Sequence, residues 1–203
     1  MYESQEMIDT ARDFVHREAE AVEVVVDQIG PEFVDFAKEV LAVKGKVIVT
    51  GVGTSGTVAH RFAHLLSVTG TPAFYLSPVD GLHGSLGVVT EDDLVIAISK
   101  GGESTELNEM LTRSKDRGAS TAALTSSPDS SLAHVADHSV VVVSPNADLG
   151  GVVAMGSTLA HEAWGDALCM TLMRLSGYSW DKVLHSHPGG AVGLKSLDDI
   201  VQG

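Results

Sequence analysis

Two short segments of this chain have the composition of anion-binding loops. Gly51-Val52-Gly53-Thr54-Ser55-Gly56 and Ser99-Lys100-Gly101-Gly102-Glu103-Ser104-Thr105 both set glycines beside hydroxyl side chains. Glycine lets backbone approach a ligand closely. Free N–H groups at the start of a following helix, helped by Ser and Thr hydroxyls, hold an anion without net positive charge. One such loop is ambiguous, because Ser104 and Thr105 are also ordinary helix caps. Two of them fit one compact phosphate ester. Two histidines stand in similarly glycine-rich surroundings: His83 in Asp80-Gly81-Leu82-His83-Gly84-Ser85, and His187 ahead of Pro188-Gly189-Gly190. A histidine titrates near pH 6.5 and can give or take a proton at neutral pH. Held extended by a following proline, with a glycine turn behind it, His187 is poorly explained by core packing. Glu103 falls in the first turn of its helix, where the dipole favours a carboxylate and lowers its basicity, so stabilising the helix start competes with any catalytic role.

Other chemistry fits these residues less well. Gly51-x-Gly53-x-x-Gly56 is literally a dinucleotide fingerprint, but that use wants an acid closing the second strand, and that strand ends Leu76-Ser77-Pro78. His60 and His64 stand four apart, yet Arg61 occupies the place of a metalloprotease glutamate and no third ligand is evident. His185 and His187 as a metal pair is the weaker alternative for that segment. His16, His134, His138 and His161 carry no readable signal. Cys169 is the only cysteine, so an intrachain disulfide is excluded, and its apolar surroundings read as a small buried hydrophobe.

The elements that must position these groups follow from hydrophobic spacing. Residues 4–29 place apolar side chains at steps of three and four, which predicts an amphipathic helix; Gly30-Pro31 stops it and opens a second helix to about Val43. From Lys46 onward, short unalternating apolar runs alternate with helical segments. Strands are expected over 47–50, 73–76, 93–99, 121–125 and 138–143, and helices over 55–69, 103–117, 130–136 and 157–175. Such runs indicate parallel strands buried on both faces, hence a doubly wound α/β domain whose ligand lies beyond the carboxyl ends of the strands. The division is 1–44 for the leading helices, 45–177 for the α/β core and 178–203 for the His187 segment.

At 203 residues the chain is long enough for one domain with a substantial core, and 20% charged residues make it an ordinary globule. Its formal charge of −14 repels phosphate backbones and anionic lipid, so nucleic acid and membrane are poor partners. More than half of that charge, −8, lies in residues 1–40. The N-terminus lacks the pattern of a signal peptide and no apolar run reaches the ~18 residues of a membrane span. A cytoplasmic location is expected.

Taken together, Gly51–Gly56, Ile98–Ser104, His83-Gly-Ser-Leu-Gly87 and His187-Pro-Gly-Gly-Ala-Val-Gly193 resemble the sugar isomerase (SIS) domain family, in its arabinose 5-phosphate isomerase-like branch. The two His motifs are more specific than either glycine loop, and the resemblance covers about residues 5–195. It implies a flavodoxin-like three-layer αβα sandwich with a five-stranded parallel sheet and two leading N-terminal helices. It also implies a homotetramer, and aldose–ketose isomerisation of a phosphorylated sugar with neither metal nor organic cofactor. Many members of the branch carry CBS modules after this domain, and none is expected within these residues.

Carried over position by position, Ser55, Ser99, Ser104 and Thr105 match phosphate-binding hydroxyls, and Ser157 and Thr158 match a Ser/Thr pair near the ligand; Gly53 and Lys100, in the same loops, join the phosphate-binding candidates, and Thr54 the other ligand contacts. His83, Glu103 and His187 become the acid–base candidates for moving a proton between C1 and C2. The chain departs from the branch at four places. Thr54 stands for a lysine, Asn146 for a glutamate proposed as catalytic, Gly101 for a serine and Lys100 for a neutral residue. Lys100 is therefore expected to restore the positive charge that Thr54 lacks. A non-catalytic phosphosugar sensor is the alternative, favoured by Asn146.

Overall fold

The structure, a computed structural model, describes residues 4–145 and 147–200. Asn146 lies outside the described residues. Helices α1 (Ser4–Glu23) and α2 (Pro31–Ala42) precede β1 (Val47–Gly51), α3 (Gly53–Val68), β2 (Ala73–Tyr75), α4 (Pro78–Leu82), β3 (Leu94–Ile98) and α5 (Thr105–Asp116). Then come β4 (Ser120–Thr125), α6 (Ser131–Val135), β5 (His138–Val141), α7 (Gly156–Ser176) and α8 (Trp180–Ser186). All five strands are parallel, in the order β2-β1-β3-β4-β5. This is the expected doubly wound α/β sandwich, with the order reversing between β1 and β3.

Two cores fill the sandwich because alternate strand residues face opposite ways. Val47, Val49, Leu94, Ile96, Ile98 and Leu124 pack beneath α2, α3 and α7. Ile48, Val95, Ala97 and Ala123 pack beneath α5 and α6, against Leu107, Met110, Leu111 and Leu132. Cys169 sits in the first core and burial pushes its thiol up to about 12, which makes it the inert small hydrophobe the sequence suggested.

Several boundaries differ from expectation. The first helix stops at Glu23, and a short 3-10 turn covers Val26–Gln28. Three consecutive β-branched residues, Val24 to Val26, crowd χ1 against the preceding turn and weaken the α-helix there. The fifth strand ends at Val141, two residues early, because Gln28 intervenes: its amide donates to the Val143 carbonyl and accepts from the Val143 N–H, both at 2.8 Å. α4 and α8 were not anticipated. The long α7 packs against α1, α2 and α3, burying Trp164, Leu168 and Leu172 and leaving Met170 and Leu175 about half exposed. Among the described residues no helix is long and apolar enough to cross a membrane.

Candidate functional site

In β1 and β3, Gly51 is the direct partner of Ile98. The loops that follow these two residues therefore leave the sheet side by side, at the place where strand order reverses and such folds bind ligands. Gly51 and Gly56 let helix and strand approach closely. A Cβ on Gly51 would stand 2.7 Å from the Ser55 carbonyl oxygen, and one on Gly56 would stand 2.9 Å from that of Gly51. Gly53 has φ +57°, and α3 begins without a side-chain cap or an acid in its first turn. The N–H groups of Gly53, Thr54 and Ser55 precede the first intrahelical bond, which the Gly56 N–H makes to the Val52 carbonyl, and Ser55 is half-buried while Thr54 is exposed.

The second loop is braced from several sides. Buried Ser99 accepts the Gly102 N–H at 3.0 Å. The Gly102 carbonyl accepts the Asn108 amide and the Leu132 N–H. Ser104 is the N-cap of α5 yet makes no capping bond with its side chain, so its hydroxyl and the adjacent Thr105 remain available to a ligand. Gly101 is exposed with open space around it. Glu103 points to α6: its carboxylate accepts the Ser131 N–H at 2.9 Å and the Ser131 hydroxyl at 2.7 Å. Those bonds lower its pKa.

Lys100 has a partner within its own chain. Its ammonium is paired with Asp148, a residue that sequence reasoning passed over. The same carboxylate accepts the Met155 N–H at 2.8 Å, the Ser157 N–H at 3.0 Å and the Ser157 hydroxyl at 2.8 Å. Burial alone would raise its pKa, but the ammonium and these donors outweigh it and hold the carboxyl well below the usual range. Ser157 is buried and spends its hydroxyl proton on Asp148, while Thr158 spends its own on the Met155 carbonyl. Toward a ligand, both hydroxyls can only accept. Behind this group, His161 is 2% exposed, with Nε2 3.2 Å from the Ser126 hydroxyl, and burial lowers its pKa to about 4.

The two candidate histidines stand at the ends of different helices. His83 ends α4, exposed, on the crossover from β2 to β3. His187 ends α8, half-buried, with Nδ1 2.8 Å from the Val183 carbonyl oxygen. α7 starts at the carboxyl edge of the sheet, beside Asp148, and finishes at the opposite edge, where Tyr178 packs on Gly70. Its 21 residues span about 30 Å. From Gly177 to His187 the chain, seven residues of it helical, can reach back only about 20 Å. That reach is shorter than α7 itself. His60 and His64 lie exposed on α3, His60 against the Tyr75 ring. Among the described residues no three His, Cys, Asp or Glu side chains stand close enough to hold a metal ion.

Comparison with known proteins adds a family to this geometry. The SIS domain model matches residues 40–169. Arabinose 5-phosphate isomerase KdsD of Pseudomonas aeruginosa is 34% identical over 97% of this chain and 61% of its own length. KdsD of Escherichia coli K12 is 41% identical over 76% of this chain and 47% of its own length. The chain thus spans about half to three fifths of those relatives. A solved structure from E. coli CFT073, in complex with arabinose 5-phosphate, superposes with a TM-score of 0.87 at 34% identity, covering 92% of this chain and 100% of that one.

Proposed function

The chain belongs to the SIS domain family, and from that premise we propose that it is a phosphosugar aldose–ketose isomerase acting through an enediol(ate), with arabinose 5-phosphate the first substrate to try. The observation that carries this reading is the pairing of Gly51 with Ile98, from which two hydroxyl-bearing loops leave the sheet side by side. The uncapped start of α3 with Ser55, and the start of α5 with Ser99, Ser104 and Thr105, suit a phosphate monoester. Gly53 supplies the turn and Thr54 the rim; Ser157 and Thr158 offer lone pairs to sugar hydroxyls.

Isomerisation then needs a base at C1/C2 and an acid at the carbonyl. His187 suits the base: its Nδ1 faces a carbonyl that can only accept, so Nδ1 carries the proton and Nε2 keeps a lone pair. It would act in the site of a neighbouring subunit. Self-association is supported by exposed Met7 and Val15 on α1 and by a largely apolar groove of about 810 Å³ lined in part by Leu65, Met170, Met173, Tyr178 and Trp180. A homotetramer and a cytoplasmic setting complete the proposal. His83 is assigned the complementary proton transfer. Glu103, committed to Ser131, enters as the residue that fixes the second loop.

A non-catalytic sensor is the second reading, favoured by one observation: Glu103 and Asp148, the carboxylates beside the loops, are both occupied by their own chain. Incubation with arabinose 5-phosphate in deuterated water separates the two. The isomerase places deuterium at C1 of the ketose and C2 of the aldose without added metal or nucleotide. Stabilisation of the fold by the sugar phosphate with no exchange would establish the sensor.

A further inference from the structure

Asp148 has no acceptor capacity left. A carboxylate offers about four lone-pair sites, and here they meet the Lys100 ammonium, the Ser157 hydroxyl, the Ser157 N–H and the Met155 N–H. It is therefore not a base for any ligand. Its arrangement is nonetheless more than a cap. Met155, the N-cap of α7, makes no side-chain cap, and the two N–H bonds that Asp148 accepts satisfy that helix start without help from Lys100. The lysine belongs to another element, the loop after β3. Its backbone is pinned as tightly as its side chain: the Lys100 carbonyl accepts from the Thr125 hydroxyl, the Ser126 N–H and the Ser127 hydroxyl at 3.0–3.2 Å.

A lysine side chain ordinarily loses much of its rotamer freedom when a ligand fixes it. Here the pair with Asp148 fixes it beforehand. An ammonium has three N–H donors, and Asp148 is its only partner among the described residues. The side chain is 44% exposed, which leaves room for a ligand to take up the remaining donors, and Lys100 directly follows Ser99 at the carboxyl end of β3. We propose that Asp148 is a positioning residue of this site: it caps α7 and, through the ion pair, pre-aims the Lys100 ammonium at the anionic group of a ligand held between the two loops. This rests on the phosphosugar reading above. The lysine then contributes a directed donor, with its charge largely balanced by Asp148, instead of adding a free positive charge.

Calorimetric binding of arabinose 5-phosphate, with melting temperatures recorded alongside, tests this in four proteins: the unaltered chain, Asp148→Asn, Lys100→Met and the double variant. Asp148→Asn keeps an oxygen to cap α7 and removes the ion pair. Each single variant is expected to weaken binding about tenfold, and the double variant no more than the weaker single one, because one residue acts through the other. Asp148→Asn that lowers the melting temperature yet binds like the unaltered chain would show a helix cap and nothing further. Additive losses in the double variant would overturn the proposal equally. If Asp148→Asn does not fold, Asp148→Glu serves: it keeps the charge but displaces the ammonium by a methylene, and unchanged binding overturns the proposal. Should the unaltered chain bind none of a panel of aldose and ketose phosphates, the phosphosugar reading fails and takes this inference with it.

Discussion

His187 Nδ1 lies 2.8 Å from the Val183 carbonyl oxygen, one turn back along α8, and that bond fixes which nitrogen of the ring is free. An asparagine at 187 can place its amide nitrogen where Nδ1 stands and keep the bond, but it has no counterpart of Nε2. His187→Asn is therefore expected to melt as the unaltered protein does and to lose about 10²- to 10⁴-fold in kcat. Retained activity with arabinose 5-phosphate would remove His187 from the chemistry.

The span of α7 makes a second prediction. If each site joins the loops of one chain to His187 of another, two inactive variants should repair each other. Ser55→Ala combined with Ser104→Ala disables the loops, and His187→Asn disables the base. Mixed in equal amounts through an unfolding and refolding step, they should regain about a quarter of full activity, the fraction of sites drawing each part from the intact source. A mixture no more active than its components would mean that each site is built within one chain.

A third prediction concerns acid. His161 is buried with its pKa lowered to about 4, against about 6.5 in an unfolded chain. Between those values the unfolded state binds the extra proton, so stability falls as pH drops from 6.5 to 4, by about 3 kcal/mol in full. Asp148, whose folded pKa is depressed, costs stability only below the ordinary carboxylate range. The two losses occupy separate windows. Urea midpoints measured at pH 7, 6, 5 and 4.5 should decline for the unaltered protein and stay nearly level for His161→Gln; parallel curves would rule out this histidine as the cause.

The fourth concerns close approach. A Cβ at Gly51 meets three backbone atoms, the Ser55 oxygen and carbon at 2.7 and 2.9 Å and the Gly56 nitrogen at 3.1 Å, none of which can swing aside. Gly51→Ala should destabilise by about 1–3 kcal/mol, read as a lower urea midpoint with an unchanged slope. It should also spoil the first loop, raising KM for the sugar phosphate. A variant as stable as the unaltered chain would show that α3 can move away freely.

Much of this architecture is legible in the residues. The buried apolar runs of β1, β3 and β4 announce a parallel sheet, and the glycine–hydroxyl loops announce their own position after β1 and β3. α4 could have been read as well, since Ser77-Pro78 is an N-cap followed by proline, and Ser77 does accept the Asp80 N–H. Asp148 could not. Its partner Lys100 is 48 residues away, and no local spacing tells which lysine an acidic loop residue will meet. The same holds for Glu103 and Ser131, which α5 and α6 bring together only once both lie on one face of the sheet. Backbone pattern is local and therefore readable; side-chain pairing between elements depends on the finished fold.

The edges of the sheet bear on how these chains behave when crowded. β2 is three residues long and β5 four, and beyond β5 the Gln28 amide occupies both polar groups of Val143 as a neighbouring strand would. The short strands leave an incoming strand few hydrogen bonds to gain at either border. Fibrillar growth by strand addition is thereby disfavoured, and a partner would meet helical surfaces, whose shapes discriminate as a bare row of N–H and C=O groups does not.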